Sequence, residues 1–123
     1  MNKKILVVDD DIMNLRMAEF ILSREGYDVI RQESGMDCLN YLKKHRPDLI
    51  LLDIEMPIMN GIKTFEIIKD NKEMAKIPVI FLTAASDIET VLEAVHLGAV
   101  DYVKKPFLAD DLVKRVEKVL YKE

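Results

Sequence analysis

The sequence predicts an α/β fold: a doubly wound, five-stranded parallel sheet, order 2-1-3-4-5, as the middle layer of a (βα)5 three-layer sandwich. Three observations predict it. Short apolar runs rich in β-branched residues alternate five times with longer stretches at helical spacing. Those runs are apolar at consecutive positions, as strands covered by helices on both faces are. Right-handed crossovers between parallel strands then leave an open sheet with a topological switch between strands 1 and 3.

The elements follow in order. Ile5-Leu6-Val7-Val8 reads as a buried strand. Met13 to Glu25 reads as a helix that Gly26 stops. Tyr27 to Arg31 is the second strand. Ser34-Gly35-Met36-Asp37 resembles a capping box with Asp in place of Glu, and opens a helix to about His45. Pro47 breaks the chain before the third strand, Leu49-Ile50-Leu51-Leu52. Met56 to Gly61 is a loop with Pro57 and the turn pair Asn60-Gly61, and a helix follows to about Asn71. Val79-Ile80-Phe81-Leu82 is the fourth strand. Ser86 to Glu89 is a second capping box, and Ile88, Val91, Leu92 and Val95 form one apolar helix face that ends at Gly98. Asp101 to Lys104 is the fifth strand, and Ala109 to about Lys122 the last helix, with Leu112, Val116, Val119 and Leu120 on one side.

Composition excludes several classes. A chain of 123 residues is expected to be one domain, residues 1–123. With 50% hydrophobic and 33% charged residues it is not disordered. One cysteine excludes a disulfide framework and a cysteine-built zinc cage. A net charge of −4 argues against direct nucleic-acid binding. No apolar run approaches the roughly 18 residues of a membrane span. In MNKKILVVDDD acids follow the apolar run at once, unlike a signal peptide, so a cytoplasmic chain is expected.

The polar residues that follow the strands carry the chemistry. Asp9, Asp10 and Asp11 follow strand 1, Asp53 follows strand 3, Thr83 strand 4 and Lys105 strand 5. Parallel strands end on one edge, so these groups converge at the switch point, where such sheets bind ligands. Clustered carboxylates stay ionised only beside a cation. Hard oxygen ligands with open positions suit Mg²⁺, which accepts phosphate oxygens. A carboxylate also attacks phosphoryl groups, and a cation, an amine and a hydroxyl meet the needs of the transferred oxygens. The set is complete for phosphoryl transfer to an aspartate.

Four segments at these strand ends, ILVVDDD, LILLDIEMPIMNG, IPVIFLTA and GAVDYVKKPF, make the sequence similar to the receiver domain of two-component response regulators over its whole length. The resemblance implies a flavodoxin-like sheet like that of chemotaxis response regulators. It also implies that the chain accepts a phosphoryl group from a sensor histidine kinase or phosphotransfer protein, catalysing only its own phosphorylation and dephosphorylation. By similarity Asp53 is the phosphoacceptor, and Asp10, Asp53 and the backbone carbonyl of Glu55 hold Mg²⁺, with Asp9 acting through water. Thr83 and Lys105 bind phosphoryl oxygens, Lys105 pairs with Asp53 before phosphorylation, and the Lys105–Pro106 bond is cis. Thr83 and Tyr102 form the switch that alters the face made by helix 4, strand 5 and helix 5 toward a downstream protein or output domain. Glu55 and Ala85 border the phosphoryl group and tune its lifetime. Asp101 and Arg115 match positions used for dimer contacts in the DNA-binding branch, so a phosphorylation-linked homodimer is one implication. Val91 replaces the basic residue usual there.

Other residues have plainer readings. Asp11 reads as a helix cap, Lys104 as a surface residue, Cys38 as packing, and His45 and His96 as surface residues near helix ends. Two other functions compete. An interaction module indifferent to phosphorylation would not need the full set of chemical residues. An aspartate-nucleophile phosphatase would need a Thr or Val where Met13 stands.

Overall fold

The five apolar runs form strands β1 (Lys4–Val8), β2 (Asp28–Gln32), β3 (Leu49–Asp53), β4 (Val79–Thr83) and β5 (Asp101–Lys104) of one parallel sheet, in the order β2-β1-β3-β4-β5. They alternate with helices α1 (Ile12–Ser23), α2 (Gly35–Leu42), α3 (Gly61–Asp70), α4 (Ile88–His96) and α5 (Ala109–Leu120), with a single 3₁₀ turn at Met74–Lys76 before β4. This computed structural model describes residues 2–84 and 88–121. Ala85 and the start of the capping box expected at Ser86 lie outside them.

Alternation along each strand divides the interior into two cores. Ile5, Val7, Leu49, Leu51, Ile80, Leu82 and Val103 face α1 and α5, where they meet Leu15, Leu22, Leu112 and Val116. Leu6, Val8, Ile50, Leu52 and Phe81 face the other way, onto Cys38, Leu42, Phe65, Ile68 and Ala94. Each fully buried Leu or Ile stabilises the fold by about 2 kcal/mol. This is why the central strands read as unbroken apolar runs.

Helix starts are set by side chains that accept backbone N–H groups. Asp11 accepts from Met13 at 2.9 Å, Ser34 from Asp37 at 3.0 Å and Asn60 from Lys63 at 2.8 Å. Asn60-Gly61 is therefore a helix cap and first residue rather than the expected turn pair. Gly26 and Gly98, with φ of +93° and +106°, follow α1 and α4 in the left-handed backbone that glycine adopts freely. The helix α2 stops at Leu42, short of the expected His45. The Arg46 guanidinium donates to the Leu42 carbonyl there, satisfying a helix-end acceptor.

The face expected on α4 is not the one it buries. Leu92 and Val95 are 60% and 55% exposed, whereas Ala94 is 1% exposed. The helix presents its small residue to the core and leaves Leu92 and Val95 outside, with Val91 partly covered. In the β3–α3 loop Ile58 is fully exposed with a φ of +70°, a conformation that crowds its branched Cβ.

Candidate functional site: an acidic cleft at the strand ends

The ladder itself sets the site. Both β3 and β4 run one residue further than the apolar pattern suggests, so Asp53 and Thr83 are ladder members. Asp53 pairs in register with Leu82, and the N–H of Ile54 donates to the Leu82 carbonyl at 3.0 Å. The N–H of Lys105 donates to the Thr83 carbonyl at 2.9 Å, and that of Asp9 to the Gln32 carbonyl at 3.2 Å. The functional side chains thus leave a backbone that the sheet holds rigid.

Asp9 and Asp53 are fully buried, and Thr83 is buried beside them. The Lys105 ammonium donates to Asp53 Oδ1 at 2.7 Å and to Asp9 Oδ2 at 3.3 Å. Asp9 Oδ1 accepts the N–H of Asp11 at 2.9 Å, which fixes its orientation. Among the described residues, Asp53 Oδ2 is the buried side-chain oxygen with no hydrogen-bond partner. Asp10 is exposed, yet one oxygen each from Asp9, Asp10 and Asp53 lies within 4.8 Å of the others. Glu55 is exposed two residues beyond Asp53. The structure therefore brings together Asp9, Asp10, Asp53 and Lys105, with Thr83 at the end of the neighbouring strand. The peptide bond between Lys105 and Pro106 is cis, as the resemblance implied.

Burial pushes the Asp53 carboxyl up from 3.8 to about 7, against the hydrogen bond from Lys105, with the Asp9 charge adding to the rise. Burial works to lower Lys105. Its bond and charge interaction with Asp53, and then Asp9, outweigh burial and hold the ammonium above the usual lysine range. A carboxyl whose folded pKa exceeds its unfolded one stabilises the fold below the unfolded value. That stability is lost as pH rises through the folded one. The stability of wild type relative to Asp53→Asn should therefore fall between about pH 4 and pH 8 in metal-free urea melts. A flat difference across that window would contradict the assignment.

The sequence pattern misses Gly61. A Cβ there would lie 2.1 Å from the carbonyl oxygen of Asp53 and 2.9 Å from the Ile54 Cα. The N–H of Gly61 also donates to the Ile54 carbonyl at 2.8 Å. The start of α3 thus rests directly on the backbone that presents Asp53. The only sequence signal was a glycine eight residues after an acid at a strand end.

On the far side of β5, Tyr102 is half-buried against the core that contains Phe81. Asp101 and Arg115 meet within the chain, at 2.6 Å. Lys104, His45 and His96 are exposed, as expected, and His45 stacks on Tyr41. Cys38 is buried, and burial pushes its thiol up to about 12, so it packs rather than reacts. Among the described residues no helix is long and apolar enough to cross a membrane.

Comparison with known proteins agrees with this geometry. The chain is 38% identical over 120 residues to the alkaline phosphatase synthesis transcriptional regulatory protein PhoP of Bacillus subtilis, covering 98% of this chain and 49% of that protein. It is 38% identical over 116 residues to the DNA-binding response regulator MtrA of Mycobacterium tuberculosis, covering 94% of this chain and 50% of that protein. The chain spans about half the length of these curated relatives. Among solved structures, the chemotaxis protein CheY4 of Vibrio cholerae superposes with a TM-score of 0.91 at 30% identity, covering 98% of this chain and all of that one. The receiver domain of Francisella response regulator 1452 gives 0.89 at 30% identity, with 98% of each chain covered. The sheet order, the acids and lysine gathered at its edge, and a match over residues 5–117 to the model of the response regulator receiver domain place the chain in that family, as a receiver domain of two-component signalling.

Proposed function

We propose that Asp53 is the phosphoacceptor and that the chain catalyses its own phosphorylation from a phosphohistidine on a sensor histidine kinase or phosphotransfer protein. The observation that carries this reading is the division of labour between the two oxygens of Asp53. Oδ1 is held by Lys105, while Oδ2 is buried and unpartnered. A carboxylate fixed by one oxygen presents the other as an oriented nucleophile.

In the proposed step Oδ2 attacks phosphorus, an O–P bond forms and the P–N bond breaks, its electron pair returning to the imidazole nitrogen. Lys105 then donates to a phosphoryl oxygen, and the Thr83 hydroxyl to another, which offsets the added charge. Attack by water reverses the modification as hydrolysis. Asp9, Asp10 and Asp53 supply only hard oxygen donors around an orphaned buried oxygen, so the residues fit Mg²⁺. Asp10, Asp53 and the carbonyl of Glu55 would hold the ion, with Asp9 supporting it through water. When bound, it neutralises charge on the carboxylates and the incoming phosphoryl group. Glu55, at the mouth of the cleft, and Ala85 would border the product and tune its lifetime.

Drawing Thr83 toward the phosphoryl group would leave space for Tyr102 and change the face formed by α4, β5 and α5 toward an output partner or domain. The exposed Leu92 and Val95 lie on that face. A homodimer using Asp101 and Arg115 would engage residues that already pair within the chain. Such signalling would take place in the cytoplasm.

Intact mass after incubation with acetyl phosphate and MgCl2 tests the proposal. One phosphoryl adduct is expected in wild type, abolished by EDTA and absent in Asp53→Asn. An adduct of equal yield in Asp53→Asn would overturn the assignment.

A further inference from the structure

Arg115 projects from α5 and is held at both sides. Its Nη1 lies 2.6 Å from Asp101 Oδ1 and its Nε 3.0 Å from Asp111 Oδ1. The guanidinium carbon stands 5.5 Å from the centroid of the Tyr102 ring. Asp101 Oδ1 also accepts the backbone N–H of Tyr102, at 2.8 Å. One carboxylate oxygen thus ties the arginine to the residue whose ring it covers.

This arrangement has a mechanical consequence. A guanidinium clamped by two carboxylates cannot follow a ring that turns about its own χ1. Any rotation of Tyr102 away from its present position gives up the cation–π contact. An arginine on an exposed helix otherwise contributes little through its ion pairs.

We infer that Arg115 is a positioning residue for the switch, a latch over Tyr102 that favours the unphosphorylated arrangement. The inference rests on the reading of Tyr102 as the switch residue. The Arg115 side chain is about one-third exposed, which puts the contact in the weaker part of the cation–π range. Its loss should shift the balance between the two ring positions about three-fold. Lysine should not restore it, because its ammonium lacks the flat fork whose Nε and Nη1 hold Asp111 and Asp101 while the guanidinium plane lies over the ring.

The affinity for beryllofluoride, a phosphoryl mimic, reads this balance from the distant acidic cleft. With MgCl2 present, half-saturation should occur at about three-fold lower beryllofluoride in Arg115→Ala than in wild type, by linkage between the two sites. Arg115→Lys should behave as Arg115→Ala. In a Tyr102→Ala background the arginine substitution should have no further effect, since the ring it acts through is gone. Equal half-saturation in wild type and Arg115→Ala would overturn the latch, as would a three-fold shift that persists without the ring. Fluorine NMR of 3-fluorotyrosine protein, with Tyr102 assigned by Tyr102→Phe, separates the two readings. If beryllofluoride moves the Tyr102 resonance while half-saturation is unchanged by Arg115→Ala, the switch stands and the latch fails. If the resonance does not move in wild type, the switch fails and the latch with it.

Discussion

Gly61→Ala should lower the stability of the fold by about 3 kcal/mol or more, the upper part of the range for forcing atoms into a packed site. The added methyl meets the Asp53 carbonyl oxygen at 2.1 Å and its carbon at 2.9 Å, and both belong to backbone inside the ladder. Neither can swing aside as a flexible side chain would. Relief requires that α3 lift from the end of β3 or that Asp53 move. The first strips the packing from behind Asp53, and the second spoils its bond from Lys105. For a chain of this size the drop in Tm should be on the order of 10 °C. The yield of phosphoryl adduct should also fall more than ten-fold at temperatures where the variant is still folded. Gly26→Ala provides the contrast. Gly26 has a φ of +93° but nothing within 4 Å, so alanine there meets only backbone strain, about 1 kcal/mol, and should leave the adduct unchanged. Thermal melts and adduct mass on the two variants decide the matter. A Gly61→Ala protein as stable and as reactive as Gly26→Ala would refute the packing argument.

Lys105→Met should be costly at alkaline pH and mild at acid pH. The substitution removes the ammonium that Asp53 and Asp9 share, at 2.7 and 3.3 Å, and leaves two buried carboxyls side by side. Breaking such a buried arrangement by deleting one partner costs about 3 kcal/mol or more when the remaining charge stays ionised. Since Lys105 lowers the Asp53 pKa, its loss moves that pKa further above 7. At pH 5 Asp53 is then mostly protonated in the folded form of both proteins, and the penalty is small. By pH 8 wild type has passed its folded pKa of about 7 while the variant has not, so the variant goes on losing stability and the penalty has opened. Urea melts of Lys105→Met and wild type at the two pH values check this. Millimolar MgCl2 should recover part of the loss at pH 8, because a cation takes over the neutralising role. A pH-independent penalty would mean that methionine merely packs badly.

Most of the fold was legible because the sheet is covered on both faces. That burial demands consecutive apolar residues, and Leu49 to Leu52 and Val79 to Leu82 could scarcely be anything but strands. The site was legible for a related reason. Parallel strands place their C-terminal ends on one edge, so Asp9, Asp53, Thr83 and Lys105 had to converge once the strands were placed. What failed to show was anything set by how layers approach. Periodicity finds an apolar stripe on α4 but does not say which part the sheet covers, and Leu92 and Val95 proved to be exposed. Asn60-Gly61 has the residues of a turn. Only the contact between α3 and the Asp53 backbone reveals that the glycine is there for clearance. The pairing of Lys105 with Asp53 was implied by the resemblance, but the share that Asp9 takes in the same lysine was not, since it depends on side-chain reach and not on strand position.

The spacing of the site along the chain also bears on assembly. Asp9 and Asp53 come from strands that pair through the centre of the sheet, but their counter-charge arrives 52 residues after Asp53, behind the edge strand β5. A chain that has formed β1, β3 and β4 but not yet docked β5 carries two neighbouring carboxylates and no ammonium between them. Closure of the sheet is thereby coupled to charge neutralisation, and the last strand to dock is favoured by more than the apolar area it buries. A nascent or truncated chain lacking that strand would hold the acids without the lysine that orients Asp53. Competence for the proposed chemistry is in this sense a check on completed folding.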